Sequence, residues 1–552
     1  MFLNDDTFSA MAREVDNILK DVDRYMQVYR LDRIGAEKEI GRYSQLKNQA
    51  ALGEKQARDW LVGQYSILLK QLYRLDDESI KEYIDFEDIE RNHSRIIFEM
   101  LLDVYDLSEI IEKYQIQVRM SAEQVLEIYR AEKDIIRKHF DMAKKIKLLA
   151  LLTYGREYGQ DVIDTLQHHN INEIGVLDKD YIYIVYKGSK IHLQFLKFSD
   201  KGVIENIQKK TTQNSPVNYD QHNITLVAAK NNSSRITVAG YDITPTEEDY
   251  YYNERIFNLK KITLEEMRDT YRTIDELIYR FLVLNQQGRG RHFITGSDMG
   301  LGKSTFLNAM LEKVPDKWGI GILDTQNELQ SRKKYPWKNI YTLIENPKRT
   351  IAECFEQMLK AARDVIYVGE ITKPGEVAEL INASLRLNSG VGATMHSLSP
   401  FEVVTNIRNL MMRTDMYNNA EVAESDIARG LDLVIHLAKL NCGRIVVESV
   451  VEIEYLGHEY NVGTQSGGTF KDRLSGLIDL ARLAILKYLS GKPYRYNVII
   501  QYSHGDDTWN AVNEPSRDYF DRLAKYVDRK DIEAFRDFFI NGKAGGQNSE
   551  LA

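Results

Sequence analysis

The sequence predicts an α/β protein in which a largely parallel, helix-covered sheet follows a smaller α+β region and a helical N-terminal stretch. Three observations carry that prediction. Over residues 261–460, short apolar runs at 292–295, 318–324, 365–368, 393–395 and 431–437 alternate with helix-like segments, the pattern of parallel strands joined by covering helices. From about residue 170 apolar residues recur at every second position, as half-buried strands require. Before about residue 140 they recur at three-and-four spacing, which places them along one side of a helix.

Each region can be justified in order. In the helical extension, 1–140, Phe8, Met11, Val15, Ile18, Val22, Tyr25 and Tyr29 keep the helical spacing, and all nine prolines of the chain lie at or after Pro216. This extension reads either as a packed bundle or as a docking platform, and no catalytic pattern falls within it. In the mixed α/β domain, 141–260, Ile182, Ile184 and Tyr186 alternate, Lys187-Gly188-Ser189 supplies a turn, and Ile191, Leu193 and Phe195 continue the alternation. That pattern predicts a hairpin. The charged segment Asn258-Leu259-Lys260-Lys261 is placed as a linker to the sheet domain, 261–460. In 461–552 a polar loop at 463–469 precedes a mostly helical region from about Lys471, with a frayed tail over 541–552. No internal repeat is found.

Composition narrows the functional classes. A chain of 552 residues exceeds the size at which one core divides, so two to four domains are expected. Hydrophobic residues at 43% and charged residues at 28% describe an ordinary globular protein. The net charge of -9 gives no general basic footprint, so nucleic acid is not the favoured partner. Cys354 and Cys442 are the only cysteines, too few for a four-cysteine zinc site or a disulfide framework, and they fit a reducing, cytoplasmic setting. Asp5 and Asp6 stand where a signal peptide carries positive charge. The longest strongly apolar run, 148–152, falls far short of the roughly 20 residues that span a bilayer. Membrane association is therefore expected through a protein partner or the surface.

The strongest chemical signal is Thr295-Gly296-Ser297-Asp298-Met299-Gly300-Leu301-Gly302-Lys303-Ser304-Thr305, set between a strand-like and a helix-like stretch. In such a loop backbone N–H groups curl around phosphates, the helix N-terminus adds positive potential, and the lysine reaches the β and γ oxygens. Gly296, Gly300, Gly302, Lys303, Ser304 and Thr305 are therefore candidate nucleotide-binding residues, with ATP the expected ligand and Ser304 a ligand to Mg²⁺. The loop carries Ser297 where the usual pattern has glycine, with Gly296 one place earlier. Two acidic sites follow. Glu370 ends the apolar run Val365-Ile366-Tyr367-Val368-Gly369, at the strand end where α/β sheets gather ligands, and is a candidate to orient Mg²⁺ or the attacking water. Asp324 and Glu328 stand four apart after the strand-like 318–324. His396, in Gly392-Ala393-Thr394-Met395-His396-Ser397, is a candidate γ-phosphate sensor. Plainer readings stand beside these: a surface acid for Glu370, a satisfied structural histidine for His396.

In chain order these pieces resemble the secretion-ATPase superfamily, the traffic ATPases of type II and type IV secretion and of type IV and Tad pili. Residues 296–305 are similar to its Walker A loop, Leu323-Asp324-Thr325-Gln326-Asn327-Glu328-Leu329 to its Asp box, Val368-Gly369-Glu370 to its Walker B segment, and Thr394-Met395-His396-Ser397 to its His box. Gly375-Glu376 and His396-Ser397-Leu398-Ser399-Pro400 look most like the Tad-pilus and conjugation-type branch. Ser234-Arg235-Ile236 and Glu254-Arg255-Ile256-Phe257 look like the family's N-terminal-domain arginine motifs, which makes Arg235 and Arg255 candidate charge stabilisers. The resemblance, which covers residues 160–455, implies a RecA-like P-loop ATPase core and Mg-ATP hydrolysis, with Glu370 and Glu328 positioning water and Glu370 joining Ser304 at the metal. It further implies a hexameric homo-oligomer and a membrane-embedded platform protein of a secretion or pilus machine, reached from the cytoplasmic face. The sequence departs from the family at Thr372, where arginine usually follows the Walker B glutamate, and at 386–389, which lacks the usual Thr-Gly-His. It also lacks the tetracysteine zinc module of some branches. Two other functions stay open: a non-hydrolysing nucleotide-gated scaffold and a nucleic-acid-translocating ATPase.

Overall fold

The computed structural model describes residues 5–231, 234–246, 249–257, 261–298, 300–325, 327–345, 349–386, 390–456 and 469–547. The linker read at 258–260, the polar loop at 463–468, the tail beyond 547, Met299 and residues 387–389 lie outside the described residues. The chain divides into two compact units, Met1–Asn258 and Leu259–Ala552.

The first unit begins with helices, and its apolar spacing shows why. Phe8, Met11, Val15 and Ile18 are all buried on the helix Asp5–Lys20, as one-sided periodicity demands. Later helices start where a side chain satisfies the free backbone donors: Asp106 with Glu109, and Ser121 with Gln124, form reciprocal capping boxes. Among the described residues seven strands follow, β1 (Arg119–Met120), β2 (Glu173–Asp178), β3 (Tyr181–Tyr186), β4 (Ser189–Leu193), β5 (Thr225–Ala229), β6 (Arg235–Ala239) and β7 (Tyr251–Arg255). They form one sheet in the order β1-β4-β3-β2-β7-β6-β5. The hairpin read at 182–195 is β3 and β4, with Tyr186 opposite Ser189. Its turn residues Lys187 and Gly188 both have positive φ, the geometry that matches the strand twist. One hydrophobic core runs from Phe8 on the first helix to Tyr252 on β7.

A buried polar cluster ties these helices to the sheet. The Lys230 ammonium, after β5, donates to Glu254 of β7 at 2.7 Å, to Gln160 at 2.8 Å and to Gln167 at 2.9 Å. Both charged side chains are fully buried, and the Tyr252 hydroxyl also donates to Glu254.

The second unit is built on nine described strands: β8 (His292–Gly296), β9 (Ile320–Asp324), β10 (Ile340–Ile344), β11 (Val365–Val368), β12 (Gly390–His396), β13 (Leu433–Lys439), β14 (Ile445–Tyr455), β15 (Tyr494–Ser503) and β16 (Thr508–Ala511). Their order is β10-β9-β11-β12-β8-β13-β14-β15-β16. The pairs from β10 to β13 are parallel, and those from β13 to β16 are antiparallel. All five apolar runs expected to be strands are strands. Every residue of β8, β9 and β11 is buried, because helices cover both faces of a parallel sheet. One face packs Phe281, Phe306 and Leu307; the other packs Phe355, Ile381 and Val404. This is the RecA-like α/β arrangement.

The C-terminal region, read as mostly helical, also contributes β15 and β16 to this sheet. Its last helices, Arg517–Leu523 and Arg529–Gln547, join the first of the two cores, where Tyr519 and Phe535 pack on Phe281 with ring centroids 5.7 and 5.5 Å away. Buried Asp432 bridges Arg291 at 2.6 Å and also pairs with Arg522. Burial would raise its carboxyl, but the two guanidinium groups outweigh that and hold it below the usual range.

Candidate active site

The site follows from sheet order. In β9, β11, β12 and β8 the paired registers set Leu323 beside Val368, Val368 beside Ala393, and His396 beside Gly296. All four strands are parallel, so Asp324, Glu370, His396 and the glycine-rich loop emerge along one edge, the carboxyl ends where such sheets bind ligands.

The loop is set by conformation. Gly300 and Gly302 have φ of 76° and 71°, the left-handed region that costs an L side chain about 1–2 kcal/mol. Gly302 then caps the helix Lys303–Glu312. The first helix-internal bond runs from the Phe306 N–H to the Gly302 carbonyl, so the amides of 303–305 precede the helix ladder and form the donor set that suits an anion. Ser304 and Thr305 lie half-buried in this first turn, whereas Lys303 is buried.

Three predicted site residues meet. Lys303 Nζ lies 3.1 Å from His396 Nε2 and 3.4 Å from Nδ1. The same Nε2 lies 3.3 Å from Glu370 Oε1. One ring nitrogen cannot both accept from the ammonium and donate to the carboxylate. His396 can thus face Lys303 as an acceptor or Glu370 as a donor, but not both through Nε2. The His396 and Glu370 side chains are 47% and 32% exposed and in contact.

Backbone bonds set the surrounding loops. Thr394 Oγ1 donates to the Gly369 carbonyl at 2.6 Å, and the Ile371 N–H to the Thr394 carbonyl at 2.9 Å. Buried Asp324 accepts from the Leu329 N–H at 3.0 Å, while Asn308 of the loop helix donates to the Leu329 carbonyl at 2.8 Å. Glu328 lies half-buried on the segment so held. Arg235 and Arg255 belong to the first unit, where they are directly paired across β6 and β7.

Sequence reasoning left two supporting groups without a role. Glu376 accepts from the Thr372 and Lys373 N–H groups at 2.8 and 2.9 Å, closing the turn after Glu370. Burial pushes its carboxyl above the usual range, and the two N–H bonds oppose that shift. Lys373 Nζ pairs with Glu345 at 2.7 Å and so braces the same turn from the end of β10. Proline followed two residues later by glutamate is a helix-start signal, and Pro374 with Glu376 carries it.

The donor set fits a nucleotide and its metal. Lys303 and the helix-start amides suit phosphate, and the Ser304 hydroxyl and Glu370 carboxylate supply hard oxygen. Among the described residues no cluster of three or more His, Cys, Asp or Glu side chains could hold a metal. An ion here would keep water and phosphate oxygens in its shell, as Mg²⁺ does.

Residues 250–481 match the family model described as Type II/IV secretion system protein. No curated protein matches the chain. Similar solved structures include the VirB11 ATPase from the Brucella suis type IV secretion system in complex with sulphate, at 16% identity over 51% of this chain and 88% of that one, TM-score 0.29. The Legionella pneumophila ATPase DotB gives 15% identity over 58% and 89%, TM-score 0.39. The pilus retraction motor PilT with bound ADP gives 13% over 66% and 98%, TM-score 0.40. Over residues 250–481, which carry the glycine-rich loop, Glu370 and His396, the chain is thus similar to the type II/IV secretion system proteins.

Proposed function

We propose that this protein is a Mg-ATP-hydrolysing motor that powers a membrane-bound secretion or pilus machine. The observation that supports it most is the meeting of Lys303, His396 and Glu370 beside a glycine-rich helix start, at the carboxyl edge of a parallel sheet. On this reading the amides of 303–305 and the Lys303 ammonium hold the phosphates, and Ser304 with Glu370 holds Mg²⁺. When bound, the metal offsets charge on the phosphate oxygens. Glu370 and Glu328 orient a water towards the γ-phosphorus. The new P–O bond forms as the bond to the bridging oxygen breaks, ADP leaves with that electron pair, and Glu370 takes the water proton. His396 reports the change, because a phosphate that engages Lys303 releases Nε2 towards Glu370.

Arg235 and Arg255 enter as charge stabilisers on the resemblance alone. So do the hexameric ring, the membrane platform partner, attachment at the cytoplasmic face, and the Tad-pilus and conjugation-type branch. The test is phosphate release with Mg²⁺, over protein concentrations that span assembly, by wild type, Lys303→Ala and Glu370→Gln. The motor reading expects cooperative turnover in wild type, lost nucleotide binding in Lys303→Ala, and binding without turnover in Glu370→Gln. No turnover in wild type would leave a nucleotide-gated scaffold in its place, and turnover by Glu370→Gln at the wild-type rate would remove Glu370 from the chemistry.

A further inference from the structure

β8 leaves the sheet as the glycine-rich loop at Gly296, and its neighbour β13 stands against that exit. The ladder between the two strands ends with His436 opposite Thr295, the residue before Gly296. One position further, β13 shifts its register against β14 between His436 and Leu437. There the Leu437 carbonyl closes on the loop: a Cβ at Gly296 would lie 2.8 Å from that oxygen and would also meet the Leu301 side chain. Gly296 is not among the glycines of positive φ, so this close approach is what requires a glycine at the position. The place of β13 therefore decides where the loop can begin.

One side-chain bond ties the two strands at this point. His436 Nδ1 lies 2.9 Å from Thr295 Oγ1, and both residues are buried. Burial holds the imidazole below its ordinary pKa, and the carboxylate of Glu448 opposes that shift. The ring is thus neutral near pH 7 and carries one N–H. Glu448, on β14, decides which nitrogen carries it. Its Oε2 faces Nε2 at 3.8 Å, long for a hydrogen bond but close for a charge, while its Oε1 faces His504 Nε2 at 3.4 Å. A carboxylate on the Nε2 side favours the proton there, so Nδ1 accepts and the Thr295 hydroxyl donates. With its one hydroxyl proton so committed, the β-branched Thr295 keeps a single χ1 rotamer. Its main chain is paired on both sides, with Met395 of β12 and with His436. The residue that leads into the phosphate loop is therefore held by two ladders and by its own side chain.

We propose that His436 is a positioning residue for nucleotide binding: it acts through Thr295 to set the exit of the phosphate loop, and Glu448 holds its ring in the accepting tautomer. The inference rests on the reading that this loop binds nucleotide phosphates. A loop displaced at its exit aims the amides of 303–305 less well at an anion, and misplaced donors lose much of their effect. The test is titration calorimetry of the full chain with ADP and Mg²⁺. Thr295→Val keeps the shape and loses the donor, and should bind ADP on the order of tenfold more weakly. Thr295→Ser keeps the hydroxyl and should stay within about threefold of wild type. His436→Leu should lose as much as Thr295→Val, whereas His436→Gln, whose amide carbonyl can accept in the same place, should recover to within about threefold. Thr295→Val/His436→Leu should be no weaker than either single variant, because both break the same bond. Circular dichroism checks that each variant is folded; if His436→Leu is not, Thr295→Val against Thr295→Ser decides. Wild-type affinity in Thr295→Val or in His436→Leu overturns the proposal, as do losses that add in the double variant. An equal loss in His436→Gln and His436→Leu also overturns it, since the ring would then serve packing alone. Absence of ADP binding by wild type would instead reject the nucleotide reading itself, and this inference with it, so the two failures are told apart.

Discussion

His396 Nε2 lies between a cation and an anion that require opposite proton states of it. With Lys303 at 3.1 Å and Glu370 at 3.3 Å, the ring accepts in one state and donates in the other. Replacing it with phenylalanine removes both contacts and keeps the ring's bulk. His396→Phe is expected to retain nucleotide affinity within a few-fold, because Lys303 and the helix-start amides remain, and to lose about a hundredfold in turnover as the link to Glu370 is cut. Single-turnover phosphate release alongside equilibrium nucleotide binding separates the two effects. Equal losses in both would make His396 a binding group only. The types and order of these residues were legible in the sequence. Their mutual contact was not, because it depends on β12 lying between β11 and β8, which local spacing does not encode.

At the scale of elements, the loop and β8 carry distinct predictions. Gly302→Ala has room for its methyl, whose nearest neighbour outside the adjoining chain is Thr305 Cβ at 3.9 Å. Its cost is therefore conformational, about 1 kcal/mol of stability. The loop would relax from its φ of 71°, so nucleotide affinity should fall at least about tenfold in a folded protein, as titration calorimetry would show. In β8, His292 is buried between Asn285 and Gln286, and burial pushes its pKa from 6.5 down to about 4. Folding therefore favours the neutral ring. Its contribution is complete above pH about 6.5 and is lost as pH falls towards about 4, up to about 3 kcal/mol. Urea midpoints of the second unit measured across that interval should fall less steeply in His292→Gln than in wild type.

Why some elements were legible is a matter of burial. β8, β9 and β11 are buried throughout and read as continuous apolar runs. β10 lies at the sheet edge with a mixed pattern, and β14 interrupts its apolar residues with Glu448, Glu452 and Glu454. Glu452 is tolerated because the Ser516 and Asn497 side chains and the Ser516 N–H reach it from the C-terminal region. Those partners lie too far along the chain for a window of sequence to find. The tyrosines and polar residues of β15 hid its period in the same way.

At the scale of the whole molecule, the polar cluster around Lys230 holds the helices of the first unit to its sheet. Lys230→Met would strand the buried Glu254 carboxylate and should cost about 3–5 kcal/mol, whereas Lys230→Met/Glu254→Leu should recover much of that loss. Chemical denaturation followed on the first unit's transition would check both, and a single variant as stable as wild type would show that the charge is not confined there. The sheet order of the second unit bears on synthesis as well. β8, which carries the glycine-rich loop, pairs with β12 and β13, and both leave the ribosome long after it. Until residue 439 has emerged, β8 lacks one or both neighbours and the loop's lysine lacks a settled setting. The glycine-rich loop therefore settles late in synthesis, because non-local pairing of this kind folds slowly.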